Sequence, residues 1–318
     1  MEYKDLPDIN GWATLRAVVE KGGVSAAAEA MNIGQPAVTK RLRALEASYG
    51  TRLMERISGR LRLTPAGEKV YLLAVQTLDR QRALQEELLH MGRGQDSMRL
   101  EVTFSIGEHL LSDLLYRFAE QYPRYRVESR MAYGRNIQSH LATGLTDLAL
   151  MEGAPDHPDV LVQKWAEDEL WLVCGHRHPL AGTDLLPVEE LTRLKFVLRE
   201  KNASSRESLD QALRRIGIEE LNVALEVGST DTIMEMLEHG KHVSFLPRFA
   251  VEEKVAEGEL FHIKVTGFRI LRTLWIARNR SRLDHPVAEA FIEMLRQSSV
   301  GPRVDRGLSS DEQTPVPR

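Results

Sequence analysis

One stretch, Val24 to Glu46 (VSAAAEAMNIGQPAVTKRLRALE), narrows the folds open to this chain more than any other. Ser25 is expected to cap a short helix through Ala26, Ala27, Ala28, Glu29, Ala30 and Met31. Serine accepts hydrogen bonds from free first-turn amides, and alanine is the best helix former. Asn32, Ile33 and Gly34 break the run. A second helix opens at Gln35 with Pro36 at its first position, where the missing N–H costs nothing. Ala37, Val38, Leu42 and Leu45 recur at helical spacing and give an inward face, leaving Thr39, Lys40, Arg41 and Arg43 mainly on the others. Two short helices, a tight turn, and a second helix that is polar at its start and basic along its body read as a helix-turn-helix. In that motif the second helix enters the DNA major groove. A pair of alanine-rich core helices would show the same spacing, so the flanking segments have to decide.

Charge is the first of these. The chain of 318 residues is formally −4, which does not suggest nucleic acid, but residues 35–64 carry Lys40, Arg41, Arg43, Arg52, Arg56, Arg60 and Arg62 against only Glu46 and Glu55. That local cationic excess is the footprint expected for phosphate contact, where a merely solvated face would mix its signs. The length favours two or three domains. No apolar run reaches the roughly 20 residues of a membrane span. The polar start MEYKDLPDIN has no secretory pattern, and the single Cys174 excludes a disulfide framework, so a cytoplasmic protein is expected.

Residues 6–21 read as a first helix with an apolar stripe (Ile9, Trp12, Leu15, Ala17, Val18, Val19), stopped by Gly22-Gly23. After the second helix of the motif, Ile57-Ser58-Gly59-Arg60-Leu61-Arg62-Leu63 reads as a hairpin, which makes the unit a winged helix. Thr64-Pro65-Ala66-Gly67-Glu68 starts a helix running to about Met91. Val70, Ala74, Thr77, Gln81, Leu84, Leu88 and Met91 follow a 4-3 spacing along it, a heptad seam suited to pairing with a second copy, although packing onto its own domain would also use it. From Met98 on, strand-like runs alternate with helical ones. The strands are expected at 99–105, 126–131, 147–151, 170–175, 195–199, 222–227, 242–246, 260–265 and 268–278. This implies parallel sheet covered by helices, with ligands outside the carboxyl ends of strands. The polar tail 298–318 is expected to be disordered.

Residues 1–67 resemble the DNA-binding domain of LysR-type transcriptional regulators through Val24–Met31, Gln35-Pro36-Ala37-Val38-Thr39, Leu45-Glu46, Gly50, Arg52-Leu53, Arg56 and Leu63-Thr64-Pro65-Ala66-Gly67. The family usually has Phe at Val24, Ser at Gly34 and Thr39, and Phe at Met54. Ser105–Leu111, Tyr122-Pro123, Asp147–Leu150, His178–Ala181 and Glu226–Thr230 are similar to the branch with regulators of carbon-fixation and sulfur-assimilation operons. The resemblance implies an α+β chain. A winged helix-turn-helix (1–64) would lead through a dimerising linker helix (65–92) to a two-lobed α/β effector domain like periplasmic binding proteins (98–297). Lobe I would comprise 98–164 and 267–297 and lobe II 165–266, with chain crossings near Gln163–Asp168 and Val265–Phe268. It further implies a homodimer or homotetramer, duplex DNA and RNA polymerase as partners, and a small-molecule effector, expected to be an anion, in place of a cofactor.

Gln35, Pro36, Thr39 and Lys40 are the candidates for base contact, since glutamine and lysine pair with adenine and guanine edges. Arg41, Arg43, Arg60 and Arg62 are candidates for phosphate or minor-groove contact. For the effector, Thr103, Ser105, Ser205, Arg206, Ser229 and Thr230 lie after predicted strands, where hydroxyls, helix amides and a guanidinium would suit a small anion. Plain helix capping would use the same serines and threonines. The family branch often has a Ser-Gly-Thr-Arg-like stretch where this chain has Ala203-Ser204-Ser205-Arg206. Cys174, His176 and His178 share a strand face but find no fourth ligand, so no metal site is expected. No phosphate loop, nucleophile elbow or metal helix supports an enzyme. A pure solute receptor is the other rival, and salt-dependent duplex binding would separate it from a regulator.

Overall fold

The computed structural model describes residues 7–57, 60–90, 96–280 and 282–297. The chain divides into two compact units that part near Gly92.

The first unit opens with α1 (Ile9–Glu20), capped by Asp8, whose carboxylate accepts from the Asn10 amide. α2 (Val24–Ala30) and α3 (Gln35–Tyr49) follow. The turn between them closes on a hydrogen bond from Ile33 N to Ala28 O at 3.0 Å, with Asn32 at φ 52°, a region asparagine tolerates better than most residues. Ser25 is not the N-cap expected. Gly23 holds that place, and Ser25, one residue inside the helix, turns its hydroxyl to Gln35 instead. Val18, Ala27, Ala28 and Val38 are buried together, as are Leu15, Leu45, Leu53 and Val70.

The hairpin of β1 (Met54–Ile57) and β2 (Arg60–Leu63) pairs Met54 with Leu63 and Glu55 with Arg62. Its expected turn, Ser58-Gly59, lies outside the described residues, as do the side chain of Arg60, Met91 and the tail 298–318. Glu46 fixes where the hairpin begins, since its Oε1 accepts from Leu53 N and Met54 N at 2.8 and 3.3 Å.

α4 (Pro65–His90) starts as expected, with Thr64 Oγ1 accepting from Gly67 N at 3.0 Å and donating to Arg52 O. The expected heptad seam is used in two ways. Val70 and Ala74 are buried within their own unit, and among the described side chains of this helix Leu72, Leu73, Leu84 and Leu88 are the large apolar ones left exposed.

In the second unit the elements run β3 (Ser97–Val102), α5 (Phe104–His109), α6 (Leu111–Gln121), β4 (Arg126–Met131), α7 (Gly134–Thr143), β5 (Leu148–Met151), β6 (Val160–Gly175), β7 (Leu185–Leu186) and a 3-10 turn at Val188–Arg193. They continue with β8 (Lys195–Arg199), α8 (Ser204–Arg215), β9 (Asn222–Val227), α9 (Thr230–His239), β10 (Val243–Pro247), α10 (Arg248–Ala256), β11 (Leu260–Val265), β12 (Ile270–Asn279) and α11 (Pro286–Gln297). The strand order is β4-β3-β5-β12-β6-β10-β8-β9, with β11 joining β6 to β7. β4-β3-β5 and β10-β8-β9 are parallel, as expected, but β6 runs antiparallel to β12, β10 and β11.

β6 is the element the pattern hid. Its first ten residues, VLVQKWAEDE, carry four charged side chains and read as loop, yet they pair with β12 from Val160 to Leu170. β6 and β12 thread two separate cores. One contains Leu100, Ile106, Phe118, Leu150, Leu274 and Phe291, and the other Leu172, Phe196, Leu209, Phe245, Phe268 and Ile270. The outward passage lies between Ala166 and Leu170 and the return between Ile270 and Leu274. The return expected at Val265–Phe268 is instead a turn, with Gly267 at φ 66° and Phe268 N bonded to Val265 O. At the passage Arg272 is buried: its Nε donates to Asp168 Oδ2 at 2.8 Å and its Nη1 to Glu152 Oε1 at 3.4 Å.

On β11, His262 stacks on Trp171 with ring centres 4.1 Å apart, and burial pulls its pKa down to about 4 despite the charge of Glu169. The folded ring is therefore neutral where the unfolded one, near 6.5, is already charging. Stability is expected to fall as pH drops from about 6.5 to about 4 and to level off below that. Urea melts of the wild type and His262→Gln across this range check it. The variant is expected to show a flatter profile, and parallel profiles would refute the assignment.

Candidate nucleic-acid interface and ligand cleft

α3 is amphipathic with an unusual outer face. Val38, Leu42 and Leu45 point inward, so Pro36, Thr39, Lys40 and Arg43, offset by one or two positions, form a row along the other side. With Gln35 they line a single surface concavity containing no acidic side chain. Gln35 Nε2 donates to Ser25 Oγ at 3.1 Å, which ties its amide to α2. Ser25 is thus a positioning residue that sequence reasoning spent on helix capping. Arg41 is half-buried and lies outside the concavity, so the structure does not group it with the row. Arg62 is exposed on β2, opposite Glu55.

The second unit gathers its candidates where β3, β5 and β8 end. A small cavity there is lined by Thr103, Phe104, Ser105, Ala132, Tyr133, Glu152, Arg199, Ala203 and Ser204. Glu152 and Ser204 also face a wider opening, about 620 Å³, that includes Gly134, Gln138, Asn202 and Arg272. Thr103 and Ser105 line the small cavity, both buried, and Thr103 Oγ1 finds no hydrogen-bond partner among the described residues. Ser205 is buried with its Oγ likewise unpartnered. α8 begins after Ala203, which offers no side-chain cap to the first-turn amides.

Two expectations fail here. Arg206 is turned away from the cavity: Nη1 donates to Arg199 O at 2.9 Å and Nε to Asp210 Oδ1 at 3.0 Å, so it braces α8 against β8. Ser229 takes its capping role, accepting from Thr232 N. The cation lining the small cavity is Arg199, which sequence reasoning missed. It is the last residue of β8, and its place at a strand's carboxyl end was the available signal. Its Nη1 donates to Thr230 Oγ1 at 3.1 Å, its Nε and Nη2 clasp Glu200, and its guanidinium lies over Phe104. Burial alone would lower its pKa, but Glu200, Glu108 and Glu152 hold it above the ordinary arginine value. Thr230 N donates to Glu108 Oε2 at 3.3 Å, so a carboxylate already occupies the start of α9. Beside it, burial lowers the pKa of His109 against the pull of Asp231 and Glu108, which favours the neutral ring.

Residues 9–68 match the family described as bacterial regulatory helix-turn-helix protein, lysR family, and residues 92–299 match the LysR substrate binding domain. The chain is 26% identical to the HTH-type transcriptional regulator CysL of Bacillus subtilis (strain 168), over 90% of this chain and 95% of that one. It superposes on full-length CbnR complexed with its target DNA with a TM-score of 0.56 at 21% identity, covering 91% of this chain and 99% of the other. It also superposes on the Synechocystis PCC6803 CcmR regulatory domain in complex with 2-PG, with a TM-score of 0.57 at 24% identity, covering 63% and 95%. At these identities the superpositions speak for the fold, while the two family matches together span both units.

Proposed function

The chain belongs to the LysR family of transcriptional regulators, and on that premise we propose that α3 reads duplex DNA through Gln35, Pro36, Thr39, Lys40 and Arg43 while the cleft at Arg199 and α8 takes a small-molecule effector. The observation that carries the reading is the row of polar and cationic side chains from Gln35 to Arg43 of α3, held outward by the buried Val38 and Leu45. Helix-turn-helix proteins contact base edges with this part of the second helix. Arg62 on the hairpin fits phosphate contact, which positions the protein without reading sequence. The exposed Leu72, Leu73, Leu84 and Leu88 of α4 support self-association into dimers and tetramers. An RNA polymerase contact and a cytoplasmic workplace belong to the same reading and rest on family membership.

For the effector, the support is the buried, unpartnered Thr103 Oγ1 beside Arg199. A structural neighbour's complex with 2-PG fits a small polar ligand. Effector binding would act by favouring one of two arrangements of the assembled regulator.

Binding to duplexes selected from a random pool tests the DNA half. Gln35→Ala is expected to lose about 1–3 kcal/mol of discrimination at one base pair and little on random duplex. Arg62→Ala is expected to weaken both alike and to flatten the salt dependence by about 0.9 for each phosphate the protein no longer neutralises. Equal losses on selected and random duplex for both variants would overturn the division of roles.

A further inference from the structure

Gln35 is exposed on the first turn of α3. An unrestrained glutamine there would sample many rotamers and lose that freedom only on meeting DNA. Here the amide is already held. Its Nε2 donates at 3.1 Å to the hydroxyl of Ser25, ten residues back, so the bond spans the turn and joins the first turn of α2 to the first turn of α3. Gly34, the residue before Gln35, brings no side chain that could take the amide instead. Both partners are exposed, so the bond adds little to the stability of the fold. What it fixes is the direction of the amide.

That direction has a chemical consequence. A free carboxamide carries two N–H donors and one oxygen acceptor, and by turning over it can present either to a base edge. With one N–H given to Ser25, it cannot turn over without breaking the bond. It then offers DNA the Oε1 acceptor and a single N–H. In the major groove adenine shows the matching pair, a donor at N6 and an acceptor at N7. Guanine shows two acceptors, O6 and N7, and would set one of them against Oε1. Thymine and cytosine each satisfy only one of the two groups.

We infer that Ser25 is a specificity-determining residue: by holding one N–H of Gln35 it makes the start of α3 accept adenine and reject guanine. This rests on α3 being the helix that reads duplex DNA. Ser25 acts through Gln35 and need touch no base itself.

Selection of random duplex DNA by the full chain tests it, with Gln35→Ala, Ser25→Ala and Ser25→Thr run beside the wild type. The base pair whose preference Gln35→Ala loses is the one concerned. The wild type is expected to take adenine over guanine there by about tenfold or more. Ser25→Ala frees the amide and is expected to cut that ratio by about three- to tenfold, the worth of one hydrogen bond, at this base pair alone. Ser25→Thr restores the hydroxyl and is expected to restore the ratio. Ser25 is exposed within a helix, where alanine is the best helix former, so Ser25→Ala is expected to fold as the wild type does. Guanine at this base pair in the wild type, an unchanged ratio in Ser25→Ala, or an equal loss at every base pair overturns the inference and leaves α3 as the reading helix. If Gln35→Ala changes no base pair, base reading by Gln35 fails and the inference fails with it.

Discussion

Gly67→Ala is expected to unfold the DNA-binding unit and abolish duplex binding. A Cβ on Gly67 would stand 1.9 Å from Leu53 O and 2.8 Å from Leu53 C, well inside any contact atoms tolerate. The obstacle is backbone, so no side chain can swing aside. Leu53 cannot move freely either. Its carbonyl accepts from Thr64 N at 3.0 Å, its amide is held by Glu46, and its side chain is fully buried with Leu15, Leu45 and Val70. The clash would displace the junction where the hairpin meets α4. The penalty should reach about 3 kcal/mol, the upper end for overpacking, which is a large share of a small domain's stability. Gly23→Ala is the control. Its Cβ would meet nothing within 4 Å and its backbone is extended, so the loss should stay within about 1 kcal/mol, the cost of alanine at a helix N-cap. Thermal melts and duplex binding of both variants check this. Equal behaviour would mean that the close approach at Leu53 is not needed.

Arg272→Leu is expected to destabilise the second unit by about 3–5 kcal/mol, the range for breaking a buried ion pair from one side. It leaves Asp168 and Glu152 buried without their cation. Burial already raises the Asp168 pKa above its ordinary value, and Arg272 is what restrains it. Without that restraint the folded carboxyl holds its proton to higher pH than the unfolded one. The folded state then binds more protons between the two pKa values, so stability falls as pH rises through that window. The variant's deficit should therefore be larger at pH 8 than at pH 5, and adding Asp168→Asn should recover part of it. Urea melts at the two pH values decide. A deficit that is independent of pH would show that Asp168 is not the group left stranded.

The sequence made the DNA-binding unit legible because its local signals agree with its tertiary contacts. Pro36, Gly50 and Thr64-Pro65 mark real ends of helices, and the period of Val38, Leu42 and Leu45 is the real inward face. Ser25 misled because serine caps helices so often that its tertiary bond to Gln35 had no local signature. Val70 and Ala74 take the second of the two uses the sequence left open, because a heptad looks the same whether its partner is another chain or the domain beneath it. In the second unit the parallel strands were visible, while the charged half of β6 was not. Its partner β12 lies about a hundred residues away, and pairing at that distance leaves no periodic trace. Arg199 was passed over although it ends a strand, because Phe104 and Thr230, which set its place, come from other elements. The nearby Arg206 looked like the effector's cation until the fold turned it toward Asp210, and only the folded cleft brings Glu108 to the start of α9.

The most direct test of the central claim is selection of random duplex DNA by the full-length wild type and by Gln35→Ala in parallel. If α3 reads base edges, the wild type enriches a defined motif, and the variant loses preference at one base pair of each half-site while keeping the rest. Enrichment of the same motif to the same degree by both proteins, or of no motif by the wild type, would contradict it.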